Sequence, residues 1–581
     1  MKREKMVGWY DPGQLAQTGA QVVVSTLFGE NADFRLVEAL AVNPADVFYD
    51  HSVLWRVGAD KAEAPDPQQP RSEIWIDYVG DLGDGWNSTY AVAHQLAQPE
   101  LTLADSAGRR HRLPRADLLI FGGDQVYPTA SRSEYARRLV APYEAALAQT
   151  PAPHPHLFAV PGNHDWYDSL VAFTRLFCMG RWFAGWRTQQ SRSYFAVKLP
   201  RGWWLLGTDV QLGSDVDAPQ IEYFKRVAAA MSPTDRIILC NAEPHWIYSA
   251  TYREYDTEVY NERNLGFLEN HVLGGKIRVF LAGDLHHYRR HAAADGTQKI
   301  TSGGGGAFLH PTHGADVSSI PERDDRGAPT GRTFDHRRSW PDRGTSWWLG
   351  WRNLAFPWWN PLFGLVPAVL YLLLAWSMRV DLSVVAGLGG VFERVTTTAV
   401  RNPASMFWIV AIVGGFLLFT DTHSRWYRVV AGSLHGLAHL VATLLVGWVA
   451  TYVSVVCLGL PFDSALQLVA AGVMMLAGGW LAGGIIMGLY LLVSLNVFGR
   501  HANEAFSSLR IEDWKHFLRL RIDAEGGLTI FPIGLRRVPR RWTPRRAAVA
   551  GPDFVPADRR AAAPALIEDP VVITRRGGGR G

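Results

Sequence analysis

Cysteine is almost missing from this 581-residue chain: there are three, Cys178, Cys240 and Cys457, odd in number and far apart. That excludes a disulfide framework and a cysteine-rich zinc site, and fits a reducing compartment. A charge excess is missing too, since a formal net charge of +4 over this length gives no ground for expecting nucleic acid as a partner. The basic start MKREKMVGWYDPGQ has no apolar stretch behind it, so no cleavable secretion signal is expected and the first half should stay in the cytoplasm. Up to about Gly350 charged and apolar residues are interleaved. From Pro361 to Phe498 charge is scarce and long apolar runs dominate.

Four of those runs are candidates for crossing a bilayer, which takes about 20 mostly apolar residues: Pro361 to Met378, Ala404 to Thr420, Val429 to Leu460 and Ala465 to Gly499. The last could be two short helices split at Gly478-Gly479 or Gly483-Gly484, which would make five, although such glycine pairs more often let helices pack closely. With four crossings both termini share a side, and Arg425, Arg428 and Arg500 beside the spans favour the cytoplasm for the N-terminus. The expectation is an integral protein of a bacterial-type inner or plasma membrane with cytoplasmic soluble parts. Trp347, Trp348, Trp351, Trp358 and Trp359 suit an interfacial belt. His435 and His439 share a helical face inside a span, either as functional groups or as neutral histidines packed between helices.

The chemistry lies in the first half. IWIDYVGDLGDG, DLLIFGGDQVYPT, HLFAVPGNHDWYD, RIILCNAEPHWIY and IRVFLAGDLHHYRRH each read as a buried strand that ends in polar, metal-capable residues. Loops at strand ends are where a rigid scaffold presents reactive groups. One such end is an ordinary turn; five in succession are hard to explain so. The set Asp81, Asp124, Tyr127, Asn163, His164, His245, Asp284 and His286 combines hard oxygen donors with imidazoles, which suits two adjacent cations such as iron, manganese or zinc. Asp124, on the second strand, is the natural shared ligand. His287 should point away from His286, because side chains alternate along an extended segment.

The succession Gly-Asp-x-Gly (Gly80 to Gly83), Gly-Asp-x-x-Tyr (Gly123 to Tyr127), Gly-Asn-His-Asp (Gly162 to Asp165), His245 and Gly-x-x-His (Gly283 to His286) resembles the calcineurin-like metallophosphoesterases, in the form of their purple acid phosphatase branch. The resemblance covers roughly residues 74 to 310. It implies an α/β fold, a four-layer α/β/β/α sandwich, with a dinuclear site at the strand ends. By position, Asp81, Asp124, Tyr127 and His286 would hold one metal, and Asp124, Asn163, His245 and Asp284 the other. Asp284 stands where the family usually has histidine, which would harden that site toward manganese or iron. Tyr127 is either a ligand or a packing tyrosine. His164 would contact the phosphate or protonate the leaving oxygen, with Asp165 orienting it. His310 and His313, in TSGGGGAFLHPTHG, could reach substrate or lie in a surface turn.

The expected organisation is an N-terminal extension (1–73), a metallophosphoesterase domain (74–320), a linker with the aromatic segment (321–360), an all-α transmembrane region of about four spans (361–499), a small C-terminal β-rich segment (500–545), whose strands could stand as a module or complete the phosphoesterase domain, and a disordered tail (546–581). The expected activity is hydrolysis of a phosphomonoester, phosphodiester or pyrophosphate by attack of a metal-bound hydroxide. The substrate could be lipid-linked, with the bilayer as the other partner; oligomeric state is open. A membrane transporter or sensor with a non-catalytic, ligand-binding phosphoesterase-like domain is the alternative.

Overall fold

The structure is a computed structural model. It describes residues 3–29, 47–57, 63–147, 155–210, 215–251, 263–314, 317–323, 328–378, 387–420, 424–545, 551–558 and 563–574. Strands β1 (Ile74–Val79), β2 (Leu118–Gly122) and β3 (His156–Val160) run parallel and are buried at every position. Strands covered on both faces must be apolar almost throughout, as these are. A second sheet holds β4 (Phe195–Leu199), β5 (Trp203–Gly207), β6 (Arg236–Cys240), β7 (Ile277–Ala282), β8 (Tyr288–Ala293), β9 (Gln298–Ser302), β10 (Ser319–Arg323) and β11 (Pro329–Trp340), in the order β4-β5-β6-β7-β9-β8-β11-β10. Each sheet has nine strands once the short ones are included.

Strand alternation sorts side chains into layers. Ile74, Ile76 and Tyr78 of β1 meet Val197, Leu205, Ile238 and Val279 of the second sheet in a core between the sheets. Trp75 and Val79 face the other way, into a core closed by Trp86 and Tyr90 of α1 (Trp86–Leu96). On the far side Leu206, Leu239 and Phe280 pack against Phe224 and Val227 of α2 (Ala218–Ala229), which is capped by the Asp217 side chain. Helix, sheet, sheet, helix is the resulting order.

The first sheet is completed from the far end of the chain. Strands β12 (Lys515–Ile522) and β13 (Leu528–Leu535) form a hairpin, and β12 pairs antiparallel with β1. Arg519 donates from Nε and Nη2 to the two oxygens of Asp77, both at 2.7 Å, and from Nη1 to the Leu113 carbonyl at 3.0 Å. The 500–545 segment thus completes the first sheet, one of the two arrangements its hairpin-like sequence allowed. Two other expectations change. Residues 319–340, expected mostly as linker, form β10 and β11; their polar composition reflects an outer position with one exposed face. Within the expected disordered tail, Phe554–Pro556 pairs with Trp542–Pro544, and Ala565–Leu566 and Val571–Ile573 pair with β13.

The apolar region folds as α3 (Leu365–Met378), α4 (Pro403–Phe419), α5 (Arg425–Tyr452) and α6 (Ala465–Asn496). Among the described residues two helices are long and apolar enough to cross a membrane, Arg425–Cys457 with 33 residues and Ala465–Asn496 with 32. A third span exists only if Phe392–Ala399 and Pro403–Phe419, bent by 104°, count as one. The run from Pro361 supplies only 14 helical residues among the described ones, below what crossing requires, so four separate full spans are not present among the described residues. Helix α6 is not split at its glycines. A Cβ at Gly479 would lie 2.8 Å from the Ala368 Cα and one at Gly484 2.9 Å from Pro357, so these positions carry close helix packing. His435 and His439 are packed between helices, with His439 Nδ1 2.8 Å from the Tyr371 hydroxyl and the His435 ring stacked on Tyr490.

Candidate metal centre and active site

Parallel strands deliver their C-terminal loops to one edge, and here the edges of both sheets meet. Asp81 N–H donates to the Gly123 carbonyl at 3.0 Å and Gly283 N–H to the Ala242 carbonyl at 2.9 Å. A Cβ on Gly80 would stand 3.1 Å from the Gly283 Cα, and one on Gly162 would fall onto Asp124 Oδ1, so glycine is required where these loops touch. Asp81, Asp124 and Asp284 all have left-handed backbone, with φ of 58°, 49° and 64°. Such conformations are uncommon outside glycine and gather at functional sites.

The side chains converge on the Tyr127 hydroxyl, which lies 2.8 Å from Asp81 Oδ1, 3.1 Å from Asp124 Oδ2 and 2.9 Å from His286 Nε2. His286 donates from Nδ1 to the Phe308 carbonyl at 2.8 Å, which leaves Nε2 as the acceptor facing the carboxylates. Fixing one imidazole nitrogen in this way is how metal-ligating histidines are oriented. Asp284 accepts from the Tyr248 hydroxyl and donates its own N–H to Asp81 Oδ2 at 2.8 Å. His164 donates from Nδ1 to the Pro128 carbonyl at 2.6 Å, and its N–H reaches Asp124 Oδ1 at 2.9 Å. Asp124, Tyr127, Asn163, His164, Asp284 and His286 line one cavity of about 420 Å³.

Three expected roles are corrected. His245 does not line this cavity; it pairs with Glu269 at 3.2 Å and lies 3.3 Å from the Asn241 amide. Glu243, on the same loop after β6, does not line the cavity either, but its charge raises the Asp284 pKa. Asp165 does not orient His164: its carboxylate accepts from Gly162 N–H at 2.8 Å, from Gln125 N–H and from the Tyr135 hydroxyl, holding the turn that presents Asn163 and His164. His313 has both ring nitrogens engaged, by Ser346 at 2.8 Å and Asn496 at 3.0 Å, and ties this loop to the end of α6. His310 does line the cavity, with its ring stacked 3.9 Å from His286 and Nε2 on Asn503. His287 lines a neighbouring cavity rather than this one; residues 284–287 form a bend and not the extended segment expected, so alternation is not the reason.

Among the described residues no three His, Cys, Asp or Glu side chains stand close enough together to hold an ion as they are. The donor chemistry and the charge nonetheless fit divalent cations. Burial, the largest cause, holds Asp81 up at about 7; burial and the Asp81 charge hold Asp124 at about 8. Burial also puts Glu243 at about 7, with Asp124 raising it further. For Asp284 burial, then Glu243, Asp124 and Asp81, push the carboxyl well up. Four buried acids, three of them raised by the charge of another, call for a counter-charge, and Lys515 of β12, itself lowered to about 8 mainly by burial, is a cation that acts on Asp81. Burial lowers His164 to about 4, so at neutral pH it is an uncharged imidazole.

A pH-dependent stability follows. Unfolded carboxylates ionise near pH 4, whereas these hold protons until about pH 7 to 8. Across that window the folded chain binds more protons than the unfolded one, so metal-free stability falls as pH rises. A divalent cation displaces those protons. Thermal unfolding with a chelator or with Mn²⁺ should therefore show a larger stabilisation by metal at pH 8 than at pH 5; equal shifts would contradict a metal role for these acids.

Residues 74–288 match the calcineurin-like phosphoesterase family and form a metallophosphoesterase domain of that kind. Among solved structures the chain is similar to one titled "Structure of PhoD", at 10% identity and a TM-score of 0.26. The similarity covers 42% of this chain and 59% of that one, less than two thirds of its length. No curated protein matches.

Proposed function

We propose that this protein is a membrane-anchored phosphoester hydrolase that uses two metal ions. The observation that carries the reading is the convergence of Asp81, Asp124 and His286 on the Tyr127 hydroxyl, at a cavity that Asp124, Tyr127, Asp284 and His286 line. Asp81, Asp124, Tyr127 and His286 would hold one ion, in the manner of the purple acid phosphatase-like branch; Asp124, Asn163, Glu243 and Asp284 would hold the other. Bound there, iron, manganese or zinc lowers the pKa of coordinated water and neutralises charge on the phosphoryl oxygens. The chain's own groups do the rest. Asp81 and Asp124, deprotonated, supply the negative field that retains cations. His164, fixed by the Pro128 carbonyl, presents Nε2 to the cavity, and an anionic phosphoester supplies the counter-charge that lets Nε2 hold a proton for the leaving oxygen. Asn163 and the Gly162 turn position the phosphoryl group, and Trp9 and Phe308 exclude water.

Anchoring agrees with the connectivity: β1 and β12 share a sheet, so the chain before α3 and the chain after α6 would lie on one side of a bilayer, which an even number of crossings allows. Helices α5 and α6 are the two candidate crossings that satisfy this. The non-catalytic sensor or transporter reading is not favoured, since the acidic donor set is present in full. Detergent-purified full-length protein supplied with Mn, Fe or Zn should hydrolyse p-nitrophenyl phosphate or bis(p-nitrophenyl) phosphate. Turnover of neither ester by the metal-loaded protein would defeat the reading.

A further inference from the structure

We infer that the substrate is amphipathic: a lipid phosphoester drawn from the membrane, its phosphorus over the acidic cluster and its hydrocarbon against the helix ends. This rests on the phosphoesterase reading above and names its substrate class.

The cavity over the cluster has a polar floor, but much of its wall is aromatic and comes from elsewhere in the chain: Trp9, Phe308, Phe363 and Phe419. Phe363 lies two residues before α3 and Phe419 ends α4, so the ends of two apolar helices that pack beside α5 and α6 form part of the wall. Their neighbours turn outward, with Leu362, Leu365 and Leu418 exposed by 49, 53 and 79%. An apolar surface of this kind is settled by lipid rather than by water. The level of the bilayer surface is marked just upstream, where Trp348, Trp351, Trp358 and Trp359 are all exposed, since tryptophans collect at headgroup depth. The mouth of the site is therefore where lipid phosphates lie.

The other side of the cluster is different. A second cavity of about 690 Å³ shares Asp284, His310, Asn503 and Glu504 with the first. Arg289 and Arg500 line it, together with His287, which is 2% exposed and has no hydrogen-bond partner on either ring nitrogen among the described residues. An apolar wall on one side of the reacting position and basic, hydrogen-bonding groups on the other match a phosphoester with a hydrocarbon arm and a polar head. A small water-soluble phosphoester uses neither. In hydrolysis a water oxygen forms the new P–O bond, the ester P–O bond breaks, and the departing oxygen takes a proton.

The test compares butyl with dodecyl phosphate, and butyl with dodecyl p-nitrophenyl phosphate, using the metal-loaded full-length protein in detergent micelles. Each buried methylene is worth a factor of about four, so even partial burial of the added chain should raise kcat/KM by about tenfold or more. In Phe363→Ala/Phe419→Ala the ratio of dodecyl to butyl should fall. Equal rates for the two chains, or a gain that survives in the double variant and so reflects micelle partitioning, would overturn the inference while leaving hydrolysis intact. Turnover of no ester at all would instead defeat the phosphoesterase reading. Competition by dodecyl- and butylphosphonate against p-nitrophenyl phosphate repeats the comparison without a variant: about tenfold stronger inhibition by the longer chain is expected, and equal inhibition overturns it.

Discussion

Asp124→Asn is expected to lower phosphoester kcat/KM by about a thousandfold or more, well beyond the 10–100-fold typical of a group that only supports a metal ligand. The same substitution should raise the thermal midpoint of the metal-free protein at pH 8. Asparagine keeps an oxygen for the His164 N–H but removes one of the charges that burial and Asp81 make unfavourable. Loss of activity with gain of stability is the signature of a side chain retained for chemistry. If activity and stability fell together, Asp124 would be a structural residue and the assignment of the shared ligand would be wrong. Activity assays and thermal unfolding on the same preparation decide this.

Arg519→Met is expected to destabilise the protein by about 3–5 kcal/mol, because it strands the buried Asp77 carboxylate without its partner. Asp77→Leu combined with Arg519→Met should recover most of that loss, since replacing both members of a buried ion pair by apolar residues is often close to neutral. Denaturant unfolding of the single and double variants measures it; a single-variant loss below about 1 kcal/mol, the range of surface pairs, would show that the pair is not what docks β12. The consequence reaches the site. Lys515 on β12 donates to the Ala307 carbonyl beside the cluster, and a Cβ on Gly304 would fall onto the His516 ring. A chain cut before Trp347 lacks β12 and β13, so the phosphoesterase sheets depend on residues that follow the apolar helices.

Much of the site was legible because strand ends carry a regular offset. Asp81, Asp124 and Asp284 lie two residues past Val79, Gly122 and Ala282, and Asn163 lies three past Val160. The same offset past Cys240 falls on Glu243, whereas the histidine chosen for its chemistry, His245, is five past and already on a helix. The role of Asp165 was not legible because its partners, the Gly162 and Gln125 amides and the Tyr135 hydroxyl, are brought together only by the turn. The strands of 329–340 and 565–573 are polar or short and carry no signal until a sheet edge is there to receive them. Hydropathy located the apolar helices but not their lengths, since Pro361 to Gly364 remains outside the helix.

The most direct test of a two-metal phosphoesterase is to count ions and turnover in one sample. Purified full-length protein is stripped by chelator, reloaded with Mn, Fe or Zn, and assayed for bound metal per chain and for p-nitrophenyl ester hydrolysis, alongside Asp124→Asn. Two ions per chain, with hydrolysis that vanishes on stripping, returns on reloading and is lost with the ions in Asp124→Asn, is the predicted result. Undiminished hydrolysis by the stripped protein, or two tightly bound ions with no ester turned over, would contradict it.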